Sequence, residues 1–345
     1  MIKTVIKRDN SIDCVSSILI IWMIVGHAFL WSKTYNSEYY GFFQKSLSFF
    51  MAFFFFKSGW FWKDKTPKLI LSGGGKLLMP FFLYALFGEV VRWIRLYVQE
   101  GDTNFVHYII YPVISIIGRG GPSGNVPLWF LIALFLTQLA VSIAVKIKIP
   151  KFVPFTFALC VSYVGTISNN FNLRIPPVIW EVASGCIFFF AGFYMRNMRS
   201  MKIVVFLAFL IYIIAIVYFP SVYDFRKGSL SKGYWILYVL SSIAGCIVFM
   251  NLFKLSFLNK SVLGYVGRHS LQFFCFHWIL FNIVCVIFGY PILEKGKPFG
   301  NCFSSETNWQ MFWTLIICCI VFLPMYVVVV KHLKMKHDNA IVRYL

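Results

Sequence analysis

Residues 12–29 read IDCVSSILIIWMIVGHAF. Asp13 stands at one end, His27 near the other, and Ser16 and Ser17 are the only polar residues between them. A helix needs about 20 apolar residues to cross the hydrocarbon of a bilayer. Lipid offers the backbone no hydrogen-bond partner, so a crossing segment of this kind must be helical. The stretch therefore reads as a transmembrane helix. The same reading extends along the chain: hydrophobic residues are 59% of the 345 and charged residues only 13%. Soluble domains carry about 45–50% and about 25%, so a soluble globule is excluded. Apolar blocks at 14–31, 42–62, 77–98, 127–145, 152–168, 178–195, 202–219, 234–253, 269–289 and 309–330 each approach the length a bilayer demands. They predict an all-α, polytopic transmembrane helix bundle of about ten spans. Residues 1–345 read as a single membrane-embedded domain, because no polar segment is long enough to fold separately.

The loops between these blocks set the orientation. With the N-terminus inside, twenty Lys and Arg residues fall in cytoplasmic segments, around Lys65, Lys148, Arg199 and Lys260 and in both termini, against eight on the other side. Cytoplasmic loops carry the basic excess in membrane proteins, so both termini are predicted to be cytoplasmic. The same bias accounts for the net charge of +20 without nucleic acid. The nine cysteines show no C-x-x-C spacing, and only Cys302 stands in a clear loop. They read as small apolar packing residues, and neither a metal nor a bound cofactor is expected. The first apolar run is too long for a signal-peptide core and no small-residue cleavage site follows, so it is expected to remain as a span.

Within the spans a few residues carry chemistry. If the first helix starts near Asp13, His27 lies about 21 Å along it at 1.5 Å per residue. An intramembrane ionisable side chain is costly and marks a functional site or a hydrogen-bonded packing contact. Imidazole takes and returns a proton near neutral pH, as acyl transfer to a hydroxyl requires. Glu89 lies about 18 Å along the third span, at a similar depth, with Arg92 one turn further on the same face. These two read either as a neutralising pair that joins helices or as chemistry: Glu89 orienting His27, Arg92 stabilising an oxyanion. His277 in the ninth span is a second such histidine. Ser58 reads as a helix-contact residue beside Gly59 or as a nucleophile. Lys57 reads as a snorkelling side chain or as a contact for phosphates. Trp129, Trp180, Glu181, Arg174 and Arg119 gather at outer span ends, where Trp is expected anyway and where a sugar would also want aromatic faces.

Several blocks, in order, resemble the acyltransferase-3 family of membrane proteins that modify bacterial surface glycans. Asp13 with Gly26-His27 resembles the family's opening motif. FFFFKSGWF, with Ser58 and Gly59, resembles its Phe-Phe-x-x-Ser-Gly motif, and KLLMPFFLY, with Lys76 and Pro80, its basic entry to a Pro-containing span. PLWFLIALF, with Trp129, and VGRHSLQFFCFHWIL, with Ser270, Leu271 and His277, resemble its later motifs. The resemblance implies transfer of an acyl group, acetyl above all, from cytoplasmic acyl-CoA to a sugar hydroxyl of a surface polysaccharide or its lipid-linked precursor. It implies a multi-pass protein of the inner (cytoplasmic) membrane. It also implies His27 as general base or transient acyl carrier, with Glu89 and Arg92 beside it, and Asp13, Ser16, Ser58 and His277 in support. Lys57 and Lys76 would meet the donor, and Trp129 and Glu181 the acceptor. One departure is Ser16, where the family often has Arg or Lys; Arg8, Lys57 or Lys76 would then supply that charge. No appended hydrolase-like domain is seen, so transfer is expected to finish in the membrane. A transporter or flippase of glycan precursors and a non-catalytic scaffold are the rival readings. No inverted repeat or pair of Gly/Pro-broken helices supports transport.

Overall fold

A computed structural model describes residues 10–101, 104–150, 152–168, 175–196, 198, 201–290 and 305–336. Expectations for Lys3, Lys7, Arg8, Lys151, Arg174, Arg199, Lys295, Lys297, Cys302 and Arg343 fall outside them. The chain folds as helices α1 (Asn10–Trp31), α2 (Glu38–Ser46), α3 (Phe50–Trp60), α4 (Pro67–Gly73), α5 (Gly75–Arg95), α6 (Tyr111–Arg119), α7 (Trp129–Lys146), α8 (Phe152–Ser168), α9 (Pro177–Met195) and α10 (Lys202–Tyr218). A small antiparallel hairpin follows, β1 (Val222–Asp224) and β2 (Ser229–Lys232), then α11 (Trp235–Leu252), α12 (Ser261–Arg268), α13 (Ser270–Phe288) and α14 (Ser305–Lys336). The architecture is all-α apart from that hairpin.

Among the described residues, seven helical stretches are long and apolar enough to cross a membrane: 10–31, 67–99, 106–146, 177–195, 235–252, 270–288 and 306–333. They match seven of the ten expected spans. Two more, α8 and α10, are apolar but only 17 residues long, about 26 Å at helical rise. The remaining block, 42–62, is broken. Its sequence Gln44-Lys45-Ser46 precedes a turn at Leu47–Phe49, where α2 ends and α3 begins. Non-helical backbone at this depth needs partners from neighbouring helices. The Tyr212 hydroxyl donates to the Ser46 carbonyl, and the Tyr238 hydroxyl donates to that of Ser48 at 3.4 Å.

Packing explains the Ser58-Gly59 pair. A methyl group at Gly59 would lie 1.8 Å from the Phe189 carbonyl oxygen, and one at Gly192 would lie 2.0 Å from that of Phe56. Helices α3 and α9 therefore touch backbone to backbone, the small-residue contact that membrane helices favour. Phe53, Phe55 and Phe56 of α3 and Phe188, Phe189 and Phe190 of α9 are buried around this contact.

Candidate active site

Trp22, Met23, Gly26, His27 and Leu30 share one face of α1 and border a cavity of about 500 Å³. Its other walls come from α2, α3, α7, α13 and the hairpin. Gln44, Trp129, Trp278 and Arg226 are among them. The hairpin closes its far side through Val222–Arg226. Asp224 Oδ1 accepts the backbone N–H groups of Arg226 and Lys227 at 2.9 and 3.2 Å, which forms the turn. Aromatic faces with a few placed polar groups are the usual make-up of a small-ligand site.

His27 is half-buried on this wall, and His277 is fully buried behind it. His27 Nδ1 lies 2.9 Å from His277 Nε2, and His277 Nδ1 lies 2.7 Å from the Phe274 carbonyl oxygen. A carbonyl only accepts, so His277 Nδ1 carries the proton. In a neutral His277 the Nε2 atom is then bare and accepts from His27 Nδ1–H. That leaves Nε2 of neutral His27 with its lone pair, the state a general base requires. A backbone carbonyl thus fixes two tautomers in series. Trp278 packs edge-on against the His27 ring, with centroids 5.2 Å apart.

Glu89 does not orient His27. Its Oε2 accepts from Arg92 Nε at 2.8 Å, and its Oε1 accepts from the Ser123 hydroxyl and the Gly124 N–H, both at 2.6 Å. Arg92 also donates to the His107 carbonyl and covers the Tyr111 ring. Among the described residues, neither borders the His27 cavity. The pair clamps the turn at 123–128 onto α5, where a methyl at Gly124 would come within 2.3 Å of the Gly88 backbone. The clamped turn bears on the site at one remove, because Asn125 donates to the Cys275 carbonyl at 2.8 Å and the following Val126 and Pro127 border the cavity.

A second cavity, of about 350 Å³, opens at the other end of α3. Lys57, Ser58, Lys65 and Gln138 supply its polar wall. Lys57 Nζ donates to Ser16 Oγ at 2.7 Å and lies 3.8 Å from Asp13 Oδ1. The lysine ammonium thus stands where the sequence lacks a cation at position 16. Ser58 Oγ accepts from Gln138 Nε2 at 3.1 Å, and Ser58 does not border the His27 cavity. Lys76 is exposed and does not border this cavity.

A family model described as an acyltransferase domain, Acyl_transf_3, matches residues 9–330. The chain belongs to this acyltransferase family. The match takes in both cavities and nearly the whole chain. Comparison with curated proteins and with solved structures gave no match.

In this acyltransferase, Trp129 borders the His27 cavity, whereas Glu181 does not. Glu181 is buried behind the hairpin, 3.7 Å from Arg226 Nε, so it bears on the cavity through that arginine. Trp22, Gln44, Asp224, Arg226 and Trp278 were missed from sequence. Trp278 carried a signal, since it follows His277; Trp22, five residues before His27, carried little, because that spacing turns it about 140° around the helix. The hairpin residues carried little, a short Tyr-Asp-Phe-Arg-Lys-Gly run with Gly228 at φ 61°.

Proposed function

We propose that this membrane acyltransferase moves an acyl group, acetyl above all, from cytoplasmic acyl-CoA to a sugar hydroxyl of a surface polysaccharide or its lipid-linked precursor, in the cytoplasmic membrane. The observation that carries the reading is the chain Phe274 carbonyl–His277–His27, which leaves His27 Nε2 as a base on the wall of an aromatic cavity. In the reaction His27 Nε2 takes the hydroxyl proton and the oxygen bonds to the thioester carbonyl carbon. The carbon–sulfur bond then breaks, and the departing thiolate takes the proton back from His27. The donor enters the second cavity, where Lys57 and Lys65 offer charge to its phosphates. The acceptor enters the first, where Trp22, Trp129 and Trp278 offer faces and Gln44, Asp224 and Arg226 offer polar contacts.

Sidedness follows the basic bias of twenty to eight, with both termini cytoplasmic. α8, α10 and the broken α2–α3 pair then complete ten crossings. A reporter fused after Lys151 should be active only in its cytoplasmic form; activity only outside would overturn this topology.

The direct test is mass spectrometry of the cell's glycans with and without the protein. Loss of one acyl mass per repeat unit would identify both group and acceptor, and unchanged masses would overturn the substrate. His27→Gln keeps a hydrogen-bonding side chain but no base, and should lower the rate by about 10²–10⁴. Wild-type acylation by a normally expressed His27→Gln protein would overturn the mechanism. A transporter or scaffold would show no acyl-CoA-dependent labelling of glycan at all.

A further inference from the structure

The two cavities lie along one stripe of α3. Phe50 and Met51 border the His27 cavity; Phe54, Lys57 and Ser58 border the lysine cavity. Three- and four-residue spacing puts these positions on one helix face. From Met51 to Phe54 is about 4.5 Å of helical rise, so the two linings follow one another directly along α3. The second wall repeats the pattern. Phe130, Leu134 and Gln138 of α7, spaced by four, border the lysine cavity, while Trp129 borders the other.

The ring at the junction is that of Phe130. It is buried, and its centroid lies 6.0 Å from Phe54, which borders the lysine cavity. It lies 5.6 Å from Phe274, which borders the His27 cavity, in a steep edge-on contact. Phe55 and Trp129 also pack on it, with centroids 5.1 and 6.2 Å away. Phe274 is also the residue whose carbonyl sets the tautomer of His277.

We infer that the Phe130 ring is the barrier between a donor cavity and an acceptor cavity, and that its bulk sets the length of acyl chain this protein transfers. The inference rests on the donor and acceptor assignments proposed above. Acyl transfer needs the thioester carbon within about 3–3.5 Å of the attacking oxygen. A donor held at Lys57 reaches a hydroxyl held at His27 only if the acyl end passes the Phe130 layer. With the ring in place the two aqueous ends stay separate. With it displaced, a slender acyl thioester fits and its chain occupies the space the ring has left. A larger space would accept a longer chain and would also admit water.

Inside-out membrane vesicles from cells that carry the acceptor provide the test. They are supplied with radiolabelled acetyl-, butyryl- and hexanoyl-CoA, and label in glycan and free CoA released are both measured for wild type, Phe130→Leu and Phe130→Ala. Phe130→Leu should raise the butyryl-to-acetyl transfer ratio by about tenfold or more, the scale of fitting a methylene into a shaped pocket. Phe130→Ala should also release more CoA than it transfers acyl groups, as water reaches the thioester. Phe190→Leu, a buried ring on α9 that borders neither of these two cavities, should leave the ratio unchanged. An unchanged ratio in a Phe130→Leu protein that transfers acetyl at the wild-type rate would overturn the barrier and leave the acyltransferase reading standing. Absence of labelling from any acyl-CoA in the wild type would overturn the donor reading itself, and the barrier with it.

Discussion

Among the described residues, the carboxylate–cation pairs Glu89–Arg92 and Asp13–Lys57 are built differently. Glu89 and Arg92 meet at 2.8 Å with side chains 8% and 4% exposed, and both oxygens of Glu89 are occupied. Asp13 and Lys57 stand 3.8 Å apart, with the lysine 22% exposed on a cavity wall. The first pair has spent its hydrogen-bonding capacity on the protein and works as a clamp. The second keeps a cation at the edge of open space, only partly removed from water. Position along a span does not tell these cases apart, whereas the inventory of partners does.

Substitutions at four positions break or sharpen this contrast. Glu89→Gln leaves the Arg92 charge buried without its counterion, and breaking a buried pair costs about 3–5 kcal/mol. The expected result is a large drop in folded yield and in unfolding temperature in detergent, with turnover per folded molecule retained. Normal stability with lost turnover would instead place Glu89 in the chemistry. Lys57→Met removes a charged contact worth about 1.5–3 kcal/mol. It should raise the Michaelis constant for acyl-CoA by about tenfold or more and change kcat little. Initial rates against donor concentration would show it, and an unchanged constant would make Lys57 as structural as Arg92. Ser16→Arg sets a second cation on Lys57 and should weaken donor use, whereas Ser16→Arg combined with Lys57→Ser should recover most of it. Recovery is read from the same rate curves, and its absence would mean that the charge must sit on α3. Lys76→Ala should have the smallest effect, since exposed substitutions usually stay within about 0.5 kcal/mol. A raised donor constant there would extend the donor site beyond the cavity.

Much of the fold was legible because a bilayer imposes one rule on every crossing segment, and α1, α5, α7, α9, α11, α13 and α14 obey it. The break between α2 and α3 was hidden because the partners that make it tolerable, Tyr212 and Tyr238, lie far away in sequence. At the site, His27 stood out as an ionisable group in an apolar helix. Its link to His277, 250 residues later, depends on how α1 and α13 pack. Glu89 and Arg92 shared its apparent depth, but depth is one coordinate, and the packing sends them to a different face. The hairpin that completes the cavity is short and polar, and no lipid constraint shapes its pattern.

The interlocked carbonyls of Phe56 and Phe189 have a mechanical consequence. Neither α3 nor α9 can roll or slide against the other without driving a backbone oxygen into its neighbour, so together they behave as a fixed rail. On the proposed path the rings that face Phe54 across this rail belong to α7 and α13, through Phe130 and Phe274. Phe274 therefore ties the two together: its ring packs on Phe130 and its carbonyl holds His277, so a displacement of that residue at the proposed barrier would also reach the base.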